Sequence, residues 1–278
     1  MIPPNKTTMQ ERLEYARAIA YQAGEITLRY FYDTKKIVVE SKDDASPVTI
    51  ADRETEHFLR QRISERFPDD AVVGEELTNT TGTTGFQWFL DPIDGTKSFI
   101  LGVPLYSTLI GIANDGECVA GVIALPALGE LVWAGTGLGT WHETKRGEPK
   151  RCRVSDCSRL EQASFLTSEI STFSERHRWE AFSRLEKNVK LVRTWGDGYG
   201  YVLVATGRAD VMVDPLMSDW DSAPLQVIIE EAGGRFTDWK GNATSFGKEA
   251  VATNGILHDD VLAKLTGNSG SAWVSGFH

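Results

Sequence analysis

Residues 88 to 96, Trp88-Phe89-Leu90-Asp91-Pro92-Ile93-Asp94-Gly95-Thr96, place two carboxylates three positions apart on a sharp turn. Acids so spaced on a turn can converge on one point, and their oxygens are the hard ligands that Mg²⁺ takes. Gly95 lets the backbone come close to a ligand. The amides of Gly95 and Thr96 can receive an anion if a helix begins there. A carboxylate pair beside an anion cradle is a phosphoryl-transfer site in outline. The same residues also make an ordinary Asp/Pro/Gly turn, and on this fragment alone both readings stand. A nucleotide-binding P-loop does not fit, because the upstream glycine that Gly95-Thr96-Lys97-Ser98 would need is missing.

Three other segments supply acids. Glu75 and Glu76 follow the apolar run Val72-Val73-Gly74, Asp52 opens a helix after Ser46-Pro47-Val48-Thr49, and Asp221 heads a helix ending in Glu230-Glu231-Ala232-Gly233-Gly234. Each has a plainer role: solvated loop charges at 75 and 76, an N-cap at 52, a dipole-favoured residue at 221.

The elements that must position these acids can be read from periodicity. Thr8-x-x-Glu11 reads as a capping box, and Leu13, Ala16, Ile19, Ala20, Ala23, Ile26 and Tyr30 keep helical spacing behind it. Residues 36 to 40 read as a strand, and a second helix is expected from Ala51 to Phe67, closed by Pro68. Trp88 to Leu90 reads as a buried strand that Pro92 should end, since proline cannot donate to a sheet ladder. Short β-type runs follow as far as Trp141. The glycines of Ala134-Gly135-Thr136-Gly137-Leu138-Gly139 make a hairpin, not a dinucleotide fingerprint, because no helix follows them. After residue 150 strands and helices alternate: strand 163–168, helix 174–188, strand 189–195, helix 198–207, strand 209–214, helix 221–234 and strand 235–239. The expected organisation is a strand-rich α+β part (1–150), an α/β part (151–267) and a loosely ordered tail (268–278).

The chain has 278 residues, of which 41% are hydrophobic, enough to bury a substantial core. No apolar stretch reaches membrane-spanning length, and the N-terminal residues resemble neither a signal nor a transit peptide. Cys118, Cys152 and Cys157 match no zinc spacing, and a reducing cytoplasm is the expected location. Acidic residues outnumber basic ones by 39 to 29, a net charge of −10 that argues against nucleic-acid and anionic-membrane partners. An acidic protein that takes a phosphorylated ligand needs local positive charge, which bound cations supply.

Taken together, the segments Gly74-Glu75-Glu76, Asp91-Pro92-Ile93-Asp94-Gly95-Thr96 and Trp220-Asp221-Ser222-Ala223 with Glu231-Ala232-Gly233-Gly234 resemble, in order and spacing, the inositol monophosphatase-like phosphatases. The resemblance runs from about residue 10 to 265 and implies a layered αβαβα sandwich, a homodimer, and Mg²⁺-dependent phosphomonoester hydrolysis with two or three cations per site. It implies as metal ligands Glu75, Asp91, the Ile93 carbonyl, Asp94 and Asp221. It makes Thr96 and Asp52 a hydrogen-bonded pair that works with Glu75 to activate the attacking water, and it gives the phosphate to Gly95 and Thr96. Lys42 and Asp44 lie near a lysine and an acidic loop of the family, with looser spacing. The chemistry is then in-line displacement by water between cation-held oxygens, with no phosphoenzyme, in keeping with motifs that contain neither cysteine nor histidine.

Trp195-Gly196-Asp197-Gly198-Tyr199-Gly200 and Asp210-Val211-Met212-Val213-Asp214-Pro215 resemble the histidinol-phosphate phosphatase branch of that family. Histidinol phosphate carries an ammonium and an imidazole, which Asp197, Asp214 and Glu169 could pair; Asp94 and Asp221 would share that substrate wall. Inositol hydroxyls also bind carboxylates, so inositol monophosphate and other sugar or nucleotide phosphates stand as alternatives. A purely regulatory binding protein of the same fold fits less well, because all five metal-site positions are present.

Overall fold

The computed structural model describes residues 6–33, 39–41, 47–145 and 147–267. Helix α1 (Lys6–Phe31) leads to the short antiparallel strands β1 (Val39–Ser41) and β2 (Pro47–Thr49) and to α2 (Ile50–Arg66). Next come β3 (Ala71–Gly74), β4 (Phe86–Asp94), α3 (Thr96–Ile100), β5 (Ser107–Asn114), β6 (Glu117–Leu125), β7 (Glu130–Gly135), β8 (Gly139–Thr144) and β9 (Gly147–Arg151). The chain continues with β10 (Ser164–Leu166), α4 (Ile170–Glu175), α5 (Trp179–Glu186), β11 (Leu191–Arg193), α6 (Asp197–Ala205) and β12 (Val211–Asp214). It closes with α7 (Asp219–Ser222), α8 (Leu225–Glu231), β13 (Arg235–Thr237), β14 (Ala250–Thr253) and α9 (His258–Thr266).

Strands β3 to β9 form a seven-stranded sheet in sequence order, and a five-stranded sheet runs β11-β10-β12-β14-β13. One face of the larger sheet is covered by α1 and α2: Leu13, Ala16, Ile19, Ala20, Leu59 and Ile63 pack on Trp88, Leu90, Ile110 and Val122. The apolar spacing of α1 is thus its buried stripe. The other face meets α6 and α8, whose Val202, Ile228 and Ile229 also pack on Met212 and Phe236 of the smaller sheet. On the far side of that sheet, Phe182 and Val261 of α5 and α9 pack on Phe165, Val213 and Val251. The result is the αβαβα order of layers, with α6 and α8 shared between the sheets.

Several local expectations are corrected. Helix α1 already runs at Lys6, so Thr8 lies inside it and is not its cap. Asp52 is not the N-cap of α2: Thr49 is, and Asp52 completes the capping box from the third helical position. Strand β4 does not stop at Pro92. Asp91 faces Leu109 and Asp94 faces Ser107, so one extra residue bulges out between them. A bulge is where a strand tolerates proline, and it re-aims the side chains on either side. The expected helix over 174–188 is two, α4 and α5, parted at His177, whose φ is 56°. Of the expected strand at 36–40, Val39 and Glu40 are in β1 and the rest lies outside the described residues, as do Lys42, Asp44 and the tail from 268.

Asp221 is brought to the larger sheet by close backbone packing. Gly111 of β5 and Gly121 of β6 are directly opposite each other. A Cβ at Gly111 would come within 2.6 Å of the Ala223 Cβ, and one at Gly121 within 2.3 Å of the Pro224 carbonyl oxygen. The two glycines therefore make the slot that receives the link between α7 and α8. Gly121→Ala should push that link off the sheet and cost about 1–3 kcal/mol, the usual penalty of overpacking. The expected readout is a lower urea midpoint at unchanged slope; an unchanged midpoint would show that the slot is not tight.

Candidate functional site at the junction of the two sheets

The five expected acids arrive from four elements. Parallel pairing of β3 with β4 sets Gly74 opposite Leu90, so Glu75 emerges beside Asp91, its amide donating to the Leu90 carbonyl at 3.2 Å. Asp94 leaves the bulge on the other side; its Oδ2 accepts from Ser107 Oγ and from the Gly198 amide, both at 2.5 Å. Asp221 is held by the Ser218 amide at 2.7 Å in a capping box at the head of α7. Asp52 Oδ2 accepts from the Thr49 amide at 2.8 Å and the Thr49 hydroxyl at 2.5 Å. The other oxygen of Asp52, and Oδ1 of Asp91, are buried with no hydrogen-bond partner.

Burial and mutual repulsion dominate the electrostatics. Burial pushes the Asp91 carboxyl well above the usual range, and the charges of Glu75, Asp94, Asp221 and Asp52 push the same way. Asp221 is raised to about 8 by burial and by Asp94 and Glu75, against the Ser218 amide. Asp94 is raised to about 6 by burial, opposed by its bonds from Ser107 and Gly198. Asp52 also rises to about 6 through burial, opposed by Thr49.

A cavity of about 490 Å³ opens in front of these acids. Glu75, Asp94, Gly95, Thr96, Glu169, Asp197, Asp214 and Asp221 are among its lining residues, whereas Asp52 and Asp91 are not. Helix α3 does begin at Thr96 after Gly95, whose φ of 81° is the left-handed region that glycine enters freely. A Cβ on Gly95 would stand 2.7 Å from Asp197 Oδ2. Asp197 itself has a φ of 53° at the first position of α6. Strain of this kind gathers where a side chain must be aimed.

The structure gives three of the expected site residues or pairs other contacts than the sequence suggested, and leaves the ligand set an expectation. Of the expected ligands, Glu75, Asp94 and Asp221 line the cavity, and among the described residues no group of three or more such side chains stands in a ready-made metal-holding arrangement. The Asp52–Thr96 pair is absent: the Thr96 hydroxyl donates to the Ile93 carbonyl at 3.0 Å, while Asp52 is turned to Thr49. Asp214 is not free to pair an ammonium. It accepts from Thr167 Oγ1 (3.1 Å), the Ser168 amide (2.9 Å), Ser168 Oγ (3.0 Å) and the Tyr201 hydroxyl (2.9 Å), which uses its acceptor capacity. Glu169 is at the cavity but already paired with Lys97 at 2.6 Å.

Spacing did not single out Lys97, which brings a cation to the cavity, nor Ser107, Ser168 and Gly198, which hold Asp94, Asp197 and Asp214 in place. The one signal for Lys97 was its position directly after Thr96. For the small polar residues no signal exists in one sequence, because each acts on a partner distant along the chain.

An acid-lined cleft between the sheets of a five-layered αβαβα sandwich defines the class of protein. The chain belongs to the inositol monophosphatase family, whose profile matches residues 8–269. It is 41% identical over 253 residues to a histidinol-phosphatase of Mycobacterium tuberculosis, covering 91% of this chain and 97% of that one. A histidinol-phosphatase of Chlorobaculum parvum is 40% identical over 258 residues, covering 92% and 97%. Among solved structures, the extragenic suppressor protein suhB of Bartonella henselae superposes with a TM-score of 0.84 at 26% identity, over 94% of this chain and 100% of that chain.

The raised carboxyl groups give a signed pH dependence. Asp221 moves from 3.8 to about 8 and Asp94 from 3.8 to about 6 on folding, so the folded state holds protons that the unfolded state releases. The benefit of keeping them protonated is fully present below about pH 4 and is lost as pH rises through the folded values. Without divalent cations, thermal stability should therefore decline between about pH 4 and pH 8, and Asp221→Asn should flatten the decline. An identical slope in that variant would remove Asp221 from the explanation.

Proposed function

We propose that the protein is a Mg²⁺-dependent phosphomonoesterase whose preferred substrate is L-histidinol phosphate. The observation that carries the reading is the set of mutually repelling buried acids at and around the cavity, two of which, Asp52 and Asp91, have an oxygen without a hydrogen-bond partner. A divalent cation fits that donor set: the ligands are all oxygen, as Mg²⁺ prefers, and positive charge there would offset the burial and the neighbouring charges that raise Asp91, Asp94 and Asp221. Glu75, Asp91, Asp94, Asp221 and the Ile93 carbonyl would hold it. When bound, Mg²⁺ supplies positive charge against the phosphoryl oxygens and makes water acidic enough to attack near neutral pH.

The remaining steps belong to the chain's own groups. The amides of Gly95 and Thr96 hold the phosphate at the start of α3. Glu75, at the cavity wall, orients the attacking water and takes its proton. Asp52 stands behind and keeps Thr49 and the head of α2 in place. The leaving group lies beside Asp197, which lines the cavity next to Gly95 and offers its carboxyl to a cationic substrate. Lys97 and Glu169 meet across the mouth, and an incoming ammonium competes with Lys97 for Glu169. The acidic wall, the wording of residues 195–200 and the similarity to histidinol-phosphatases favour histidinol phosphate over a neutral ester.

The test is phosphate release over a panel containing histidinol phosphate, inositol monophosphate and sugar bisphosphates, with and without Mg²⁺. Hydrolysis should be fastest on histidinol phosphate, cease on exhaustive chelation, and collapse in Asp94→Asn. Full activity after chelation would overturn the cation reading, and faster turnover of inositol monophosphate would overturn the substrate while leaving the phosphatase.

Asp197→Ala should raise KM for histidinol phosphate tenfold to a hundredfold more than for a neutral ester, corresponding to about 1.5–3 kcal/mol for a charge-assisted contact. Asp214→Ala should instead lower thermal stability and slow both esters alike, because it strands the donors of Thr167, Ser168 and Tyr201. Equal KM changes in Asp197→Ala on both esters would remove Asp197 from substrate selection.

A further inference from the structure

The loop that carries Glu75 is fastened from α2 by two charged side chains that take no part in the chemistry above. Glu56 is fully buried. Its Oε2 accepts from the Glu76 amide at 2.7 Å, and its Oε1 accepts from the Leu77 amide at 3.2 Å and from Arg60 Nε at 2.7 Å. Arg60 Nη2 in turn donates to the Leu77 carbonyl at 3.0 Å. One ion pair, a helical turn long, thus meets the amide of Glu76 and both backbone polar groups of Leu77. The chain approaches so closely that a Cβ on Gly74 would fall 2.1 Å from Glu56 Oε1 and 2.8 Å from Arg60 Nη2. The same helix carries Asp52 one turn before Glu56.

We propose that Glu56, braced by Arg60, is the positioning residue that sets the Glu75 carboxylate against the other acids of the cavity. The inference rests on the cation reading of the site and extends it to residues outside the cavity. Holding a loop down does not by itself call for a buried charge, since a buried ion pair adds little net stability over apolar packing. What the pair adds is direction. A carboxylate accepts at both oxygens, so two successive amides after Glu75 are fixed at once, and Arg60 fixes the carbonyl between them and the rest of the loop. Outer partners that orient ligands in this way commonly govern metal affinity by ten- to hundredfold.

The test uses the full-length protein and the near-isosteric Glu56→Gln, whose amide group must turn an N–H toward one of the N–H donors and so lose that bond. Hydrogen–deuterium exchange should speed up in residues 74–80. Calorimetric titration of the metal-free protein should show Mg²⁺ bound roughly ten- to hundredfold more weakly. At fixed Mg²⁺, kcat should fall and recover as Mg²⁺ is raised, while KM for the ester stays near wild type. Arg17→Met, which removes an ion pair to Glu143 far from the loop, should lower stability without moving any of these.

Wild-type Mg²⁺ affinity and kcat in Glu56→Gln would overturn the proposal and leave a purely structural fastening. Should the wild-type protein hydrolyse the ester yet take up no Mg²⁺, the cation reading falls. The positioning role is then decided by exchange and kcat alone: lowered kcat with faster exchange supports it, and wild-type kcat overturns it. Arg60→Met, which keeps Glu56 but frees the Leu77 carbonyl, carries the same measurements if the Gln variant does not fold.

Discussion

Repulsion among buried carboxylates is the constraint on which the rest of the structure depends. Burial raises the proton affinity of Asp91, Asp94 and Asp221, and the neighbouring charge of Glu75 adds to it at each of the three; no isolated fold would gather these acids for stability. Each is therefore gripped by an element that has other reasons to be where it is. Parallel pairing places Glu75, a bulge turns Asp94, the Gly111–Gly121 slot seats the link behind Asp221, and a capping box fixes Asp52. The stability lost at the cleft is offset by the large apolar layers between sheets and helices.

The chain also divides its labour by sheet. The acids that would face the phosphate stand at the ends of β3 and β4 and at the head of α7, all against the seven-stranded sheet. Asp214, at the end of β12, comes from the five-stranded sheet, and Asp197 from the start of α6. Helices α6 and α8 touch both sheets and hold them together. Glu231, at the end of α8, adds a second tie: its two oxygens accept from the Gly137 and Gly139 amides, both at 2.7 Å, across the β7–β8 hairpin.

Much of this was legible in the sequence wherever a signal is local. The apolar stripe of α1, the alternating strands from 86 to 141 and the hairpin glycines follow from spacing, and they form as expected. The acids were found because short motifs held them together. What was not legible depends on contacts distant along the chain. Pro92 reads as a strand terminator until the partner strand shows that a bulge absorbs it. Asp214 reads as a substrate carboxylate until Thr167, Ser168 and Tyr201 are seen to occupy it. Asp52 and Thr96 read as a pair until Thr49 and Ile93 prove to be nearer partners.

The saturation of Asp214 also sets which changes of specificity are open to this scaffold. Its four donors tie the turn after β10, at Thr167 and Ser168, to the middle of α6, at Tyr201, so that position tolerates little variation. Asp197 and Glu169 line the same cavity without a comparable set of buried donors resting on them. Exchanging either strands fewer hydrogen-bonding groups than exchanging Asp214, so randomised libraries of the cavity lining should place their diversity at those two positions and spare 214.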